Sequence, residues 1–277
     1  MTGPLPLTAG RWVTLAIGVP VALALIAWTG LNVVAAVGVG SYRVNLSVPV
    51  HGQASTVRAD AADVSVSPGQ PGRLRVTGAV RYALVRPDIS WRRGPSSVNF
   101  HSRCEFPAGE CSISLAVTVP AGGSPVVALG GGDLTARDLS GRVTLTTASG
   151  NITATGVAGR SAISASSGDI SVTSLSGPRA VLRDDLGDIT ATGLASPDVT
   201  VSDQSGDITL TFSAVPDQVQ VSNASGNITL VLPPGATTYR VSAVTAFGGT
   251  SIDVPRSATS PHVIMVTDQS GDIAISQ

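Results

Sequence analysis

The chain has 277 residues, 43% hydrophobic, 13% charged and 4% aromatic, with a net charge of −1. Its wealth of β-branched aliphatics excludes a disordered chain. Two Glu and no Lys exclude a long amphipathic helical protein, and near-neutrality leaves no electrostatic footprint for nucleic acid. The neutrality is a cancellation. Residues 1–120 hold ten Arg and five acids, whereas residues 121–277 hold seven Arg and thirteen acids.

The first element is an uncharged run from Trp12 to Tyr42, bounded by Arg11 and Arg43. About 20 apolar residues cross the hydrocarbon core of a bilayer as a helix, so the run predicts one transmembrane signal anchor over residues 12–37. Residues 1–11 then form a short cytoplasmic tail, and the C-terminal bulk lies outside the membrane of a single-pass protein. The alternative is a cleaved signal peptide, whose apolar region is usually shorter, ~7–15 residues.

Residues 44–124 predict an irregular β cap with opening coils, with strands around Val64/Val66, Leu74/Val76 and Ile113/Leu115/Val117/Val119. Cys104 and Cys111 flank a segment with Pro107 and Gly109, residues of turn chemistry. A hairpin here would bring the sulfurs together as a disulfide, which persists outside the cytosol. His51, His101 and His262 are scattered, so no zinc site is expected. A basic and aromatic patch comprises Arg81, Tyr82, Arg86, Trp91, Arg92, Arg93, Phe100, His101 and Arg103. It reads either as edge-strand decoration with its aromatics packed inward or as a membrane-proximal site for anionic lipid or an envelope polymer.

Residues 125–277 predict a domain of β-strand repeats. A phrase of Gly, Asp or Asn, Ile or Leu, and Thr or Ser starts at Gly132, Gly150, Gly168, Gly187, Gly206 and Gly226, at spacings of 18 to 20. A degraded copy occupies residues 248–251, and a last copy starts at Gly271. With the phrase Ile as zero, positions 0 and +2 form one apolar column: Ile152/Ala154, Ile170/Val172, Ile189/Ala191, Ile208/Leu210, Ile228/Leu230 and Ile273/Ile275. Positions −9 and −7 form a second, from Val143/Leu145 to Ile264/Val266, and position +5 adds Leu139, Val157, Leu175 and Leu194. Period-two alternation in short runs means half-buried strands, and a period near 20 means stacked repeats. The fold class is therefore all-β, a β-solenoid-like stack of two-strand coils behind one N-terminal helix. An antiparallel hairpin stack is the alternative. The final strand is expected to be either an edge or covered by residues 253–262.

The Gly-Asp-Ile-Thr phrases, with Val119-Pro120-Ala121-Gly122 and Leu232-Pro233-Pro234-Gly235, resemble the bacterial putative-adhesin family of β-strand repeats over residues 45–277. The resemblance implies a cell-envelope protein of unknown function and brings no catalytic residues. It also implies a sensory role, since some members sit beside envelope-stress systems.

No nucleophile elbow, phosphate loop or zinc-helix motif occurs, so no catalysis and no cofactor are expected. One acid per coil at Asp133, Asp169, Asp188, Asp207 and Asp272 reads as turn chemistry. The alternative is a calcium ladder on Asp169, Asp188, Asp207 and Asp272, which falls short of the 6–8 oxygens calcium takes. Outward rows such as Thr153/Thr155, Thr190/Thr192 and Thr209/Thr211 are exposed strand formers or a flat hydroxyl face for ice, a glycan or another copy. The expected role is adhesin-like or scaffold binding at the envelope, with an envelope polymer or self-association as partner. The alternatives are a sensory ectodomain with a membrane signalling partner and an enzyme acting on envelope glycans.

Overall fold

The computed structural model describes residues 20–26, 28, 39–50, 52–83, 86–103 and 111–277. Among the described residues seven strands precede the regular repeats: β1 (Val39–Pro49), β2 (Ala54–Ala59), β3 (Asp63–Gly69), β4 (Arg73–Ala83), β5 (Asp88–Arg93), β6 (Ser97–Arg103) and β7 (Cys111–Pro120). Paired strands then follow: β8 (Ser124–Leu129) with β9 (Leu134–Arg137), β10 (Val143–Thr147) with β11 (Ile152–Ala158), and β12 (Ser161–Ala165) with β13 (Ile170–Ser176). They continue as β14 (Arg179–Arg183) with β15 (Ile189–Leu194), β16 (Asp198–Ser202) with β17 (Ile208–Phe212), and β18 (Gln218–Asn223) with β19 (Ile228–Val231). The last pairs are β20 (Arg240–Phe247) with β21 (Thr250–Asp253) and β22 (Val263–Ser270) with β23 (Ile273–Ser276).

These strands build two facing sheets. The first has the order β1-β4-β7-β3-β9-β11-β13-β15-β17-β19-β23-β21, and the second β5-β6-β2-β8-β10-β12-β14-β16-β18-β22-β20. Among the described residues only β1–β4, β4–β7 and β5–β6 pair antiparallel; every ladder through the repeats is parallel. A parallel solenoid is thus the architecture, and the antiparallel hairpin stack is excluded. Like residues lie over like, in the register Ile152↔Ile170↔Ile189↔Ile208↔Ile228↔Ile273. Each side chain at positions 0 and +2 is at most 1% exposed, and the −9/−7 column and the +5 leucines and valine are buried with them. Two sheets stand ~10 Å apart, a gap that Ile, Val, Leu and Ala fill and large aromatics overfill.

The repeat glycines Gly132, Gly150, Gly168, Gly187, Gly206, Gly226 and Gly271 all have positive φ. At Gly168, φ is 121° and a Cβ would lie within 3.0 Å of the Gly150 carbonyl oxygen one coil below. Backbone conformation and coil-to-coil approach both demand glycine there.

One core runs unbroken from Val44 to Ile275, so position 124 marks a change of regularity within a single stack. Stacking order departs from chain order at both ends. The coil β6/β7 lies outside β2/β3, and β22/β23 inserts between β18/β19 and β20/β21. The final strand is therefore covered by β21, the degraded repeat, rather than by an edge loop. An outermost coil needs only one interface, which is why β20/β21 can lose the repeat signature. It is also the most open coil, with Val244 and Phe247 exposed, the latter to 78%.

Within the predicted membrane segment only residues 20–26 and 28 are described; 20–26 are helical, with Val21, Leu23, Leu25 and Ile26 exposed. No helix among the described residues is long and apolar enough to cross a membrane, and the remainder of residues 12–37 lies outside them, as does the tail 1–11. Cys104 also lies outside the described residues, and Cys111 is not a free thiol. The strands on either side of the cysteine segment do not pair with each other, since β6 belongs to the second sheet and β7 to the first; the expected hairpin at residues 104–110 itself lies outside the described residues.

Candidate functional site

From β3 to β21, the corner at the start of the first-sheet strands carries a continuous ladder. Asp63 Oδ1 accepts the backbone N–H of Asp133 (3.1 Å), Asp133 that of Asn151 (2.9 Å), Asn151 that of Asp169 (2.8 Å) and Asp169 that of Asp188 (3.0 Å). Asp188 accepts from Asp207 (2.8 Å), Asp207 from Asn227 (2.7 Å), Asn227 from Asp272 (3.1 Å) and Asp272 from Gly249 (2.7 Å). The chain of acceptors follows the stacking order, and it stops at Gly249, which has no side-chain oxygen. Asp and Asn interchange because both supply Oδ1. Each of Asp169, Asp188, Asp207 and Asp272 thus commits one oxygen to holding the next coil, leaving a calcium ladder one oxygen per coil to draw on, against the 6–8 that calcium takes. Among the described residues no group of three His, Cys, Asp or Glu could hold a metal ion.

A second polar column lies inside the stack, at the ends of the second-sheet strands. Asp184, Asp203, Asn223 and Asp268 follow one another in register and are 2–6% exposed. Where this column holds a donor, the donor reaches a glycine carbonyl of an adjacent coil: Thr147 Oγ1 to Gly132 O (3.4 Å), Asn223 Nδ2 to Gly206 O (2.9 Å) and Thr245 Oγ1 to Gly271 O (3.1 Å). The aspartates place Oδ2 in the same position. Asp184 Oδ2 and Gly168 O both face Gly187, and Asp203 Oδ2 and Gly187 O both face Gly206. Neither Oδ2 has a partner. Burial pushes the Asp203 carboxyl up to about 6, against the backbone N–H groups of Gln204 and Ser205, which lower it, and with Asp184 and Asp188, which raise it. Burial likewise raises Asp184. A proton on Oδ2 would complete the donor pattern of the column.

The basic and aromatic patch is divided between the sheets. Arg81 lies exposed on β4, and the Arg86 guanidinium stacks 4.5 Å from the Tyr42 ring centre, beside Tyr82. Trp91, Arg92 and Arg93 lie on β5, the edge of the second sheet, with Trp91 41% exposed. Phe100 is buried, His101 Nδ1 stands 2.9 Å from Asp60 Oδ2, and Arg103 ends β6. One contiguous site made of all these residues is not what the fold builds: Arg81 lies on the first sheet, Arg86 reaches Tyr42 of that sheet from the β4–β5 connection, and Trp91, Arg92 and Arg93 lie on the other sheet.

A different basic feature forms on the outer face of the second sheet. Position −10 of three successive repeats is Arg142, Arg160 and Arg179. The register Val143↔Ser161↔Ala180 stacks the three one above another, and Asp198 follows Arg179 in the next coil. They line a groove of ≈ 270 Å³ floored by Thr144, Ala162 and Val181. None of the three makes an ion pair among the described residues; the pairs formed are His101–Asp60 and His262–Asp217. Hydropathy alternation does not reveal this column; its only trace in the sequence is the shared offset. A wider groove of ≈ 570 Å³ opens on the first sheet between Arg43 and the pair Asp63 and Asp133, over Gly78, Ala79 and Ala116.

The family model for Toastrack DUF4097 matches residues 107–276. The chain belongs to this family. Among solved structures, the Toastrack chain is similar to a putative adhesin from Bacteroides fragilis, at 13% identity and TM-score 0.42 over 84% of this chain and 97% of that one. It is also similar to a putative lipid binding protein from Parabacteroides distasonis, at 9% identity and TM-score 0.43 over 86% and 97%. A third is a putative cell adhesion protein from Clostridium sporogenes, at 11% identity and TM-score 0.28 over 85% and 100%. None of the three is named as an enzyme. No curated protein matches the sequence.

Proposed function

We propose that this Toastrack chain is a non-catalytic, adhesin-like binding module, held at the outer side of the cell membrane by its N-terminal apolar segment. The observation that carries the proposal is the position of the ends. The apolar run leads directly into β1, the first edge of the twelve-stranded sheet, while β21 is the opposite edge. Eleven strand spacings of ~4.8 Å separate them, about 50 Å in all. A stack attached at β1 holds its long faces and its distal coil away from a bilayer, as a scaffold or adhesin requires. A Cys104–Cys111 disulfide belongs to the same proposal and suits an oxidising compartment.

Protease treatment of intact cells tests it. External protease should remove an epitope in the distal coil from intact cells, and the remaining fragment should stay with the membrane fraction. An epitope protected until the cells are lysed would overturn the proposal. The buried carboxyls of Asp184 and Asp203, both raised by burial, favour a second reading, an ectodomain that senses acidification. Crosslinking in intact cells separates the two: a membrane signalling partner supports sensing, and an envelope polymer or a second copy supports adhesion.

A further inference from the structure

We propose that Arg142, Arg160 and Arg179 form a binding site for a linear polyanion, a chain bearing one phosphate or carboxylate group per repeat unit, laid along the axis of the stack. The inference deepens the binding role proposed above and rests on it for its biological setting.

Three guanidinium groups stand on successive coils at a pitch of ~4.8 Å. Like charges directly opposite one another on a sheet are unfavourable, and Asp198 neighbours only the last of the three. None has an acidic partner in the described structure. The repeat body is rich in acids, yet its ladder aspartates are gathered at the corner, where backbone amides engage them. The arginine column therefore keeps its own positive field on the outer face. Arg142, Arg160 and Arg179 are all exposed. The floor beneath them is small enough for a chain to lie in the groove.

Guanidinium presents a planar fork of donors that matches phosphate and carboxylate oxygens. A single oxyanion engages one or two of these forks. A polymer with charges at a comparable pitch engages all three at once, and its second and third contacts are intramolecular. No aromatic side chain lies among the groove residues, so the site lacks the stacking platforms that single-stranded nucleic acids use. In a stack attached end-on, the column stands across the plane of the membrane. A flat anionic lipid surface would then meet one end of it rather than all three groups.

The test uses the full chain in neutral detergent and labelled probes: alginate for carboxylate, long-chain polyphosphate for phosphate, and inorganic phosphate as the monovalent control. Fluorescence anisotropy should show one or both polymers binding at least ~100-fold more tightly than inorganic phosphate, as multivalent attachment requires. The triple variant Arg142→Gln/Arg160→Gln/Arg179→Gln should weaken the binding at least ~10-fold and flatten its salt dependence, while Arg240→Gln, on β20, should leave both unchanged. Circular dichroism should show the triple variant melting no lower than wild type, since like-charge repulsion has been removed. If it melts lower, the central Arg160→Gln carries the comparison. Equal binding by the variants, equal loss with Arg240→Gln, or equal affinity for inorganic phosphate overturns the proposal. Loss of binding to phosphatidylglycerol vesicles without loss of polymer binding also overturns it, in favour of a lipid surface. Cell fractionation keeps the two proposals apart. A protein absent from the envelope but selective for polymer refutes only the envelope role, and an envelope protein whose polymer binding ignores the three arginines refutes only this site.

Discussion

Asp203 offers the sharpest thermodynamic prediction. Its carboxyl is 6% exposed, its Oδ2 has no partner, and burial raises it from 3.8 to about 6. Only acids face it: Asp184 and Asp188 add to the rise, and Asp185 lies near through its contact with Gln204. Between pH 4 and pH 6 the folded state holds a proton that the unfolded state has released. Stability therefore falls as pH rises through this window. The loss at pH 8 relative to acid is about 3 kcal/mol. Asp203→Asn removes it, because an amide is neutral, keeps Oδ1 for the Gln204 N–H and can donate to Gly187 O as Asn223 does to Gly206 O. At about 2–4 °C per kcal/mol for a chain of this size, the variant should melt roughly 6–12 °C above wild type at pH 8 and level with it at pH 4. Melting followed by circular dichroism across that range is the assay. A variant less stable than wild type at pH 8, or a wild-type melting temperature that does not fall above pH 5, would refute the reasoning.

Other substitutions probe the remaining parts of the stack. Ile170→Asp places an unpaired charge in a fully buried column and should cost more than about 4 kcal/mol; a variant melting like wild type would refute the column. Asp188→Asn keeps the Oδ1 that accepts the Asp207 N–H and should be neutral, whereas Asp188→Ala removes the acceptor and should cost about 1 kcal/mol, so equal melting of the two would refute the ladder. Gly168→Ala combines positive φ with a clash against the Gly150 carbonyl and should cost about 2–4 kcal/mol, readable in urea titrations. Mass analysis of the alkylated, unreduced chain should show Cys104 and Cys111 unlabelled, and two added labels would contradict the disulfide.

The core was legible because its signal is strong and local. Period-two alternation fixes which side chains point inward, and the recurrence at 18 to 20 residues places Ile152 over Ile170 and Ile170 over Ile189. The ladder at the corner was only half legible. Asp and Asn after glycine signal a turn, but their amide donors lie a whole coil away, and nothing in a single repeat names them. Asp184, Asp203 and Asp268 share position −5 with Asn223, Ala165 and Thr147, yet an acid near a turn reads as solvated until burial is seen. The arginine column was hidden for a related reason: outward positions carry no hydropathy rhythm, so only alignment of repeats brings Arg142, Arg160 and Arg179 together. The order of the last two coils leaves no local trace. The 45 residues between Ile228 and Ile273 fit an insertion of one coil as well as they fit a sequential stack. The divided basic patch fails similarly, because closeness along the chain from Arg81 to Arg93 crosses from one sheet to the other.

The central claim is a parallel, in-register stack whose degraded coil lies outermost. Spin labels on outward positions of one row measure it directly, since Thr153, Thr209, Ala274 and Ser251 stand in register on β11, β17, β23 and β21. At ~4.8 Å per coil, the account predicts backbone separations from Thr153 of about 14 Å to Thr209, about 24 Å to Ala274 and about 29 Å to Ser251. A distance to Ser251 shorter than that to Ala274, as a stack in simple chain order would give, would contradict it.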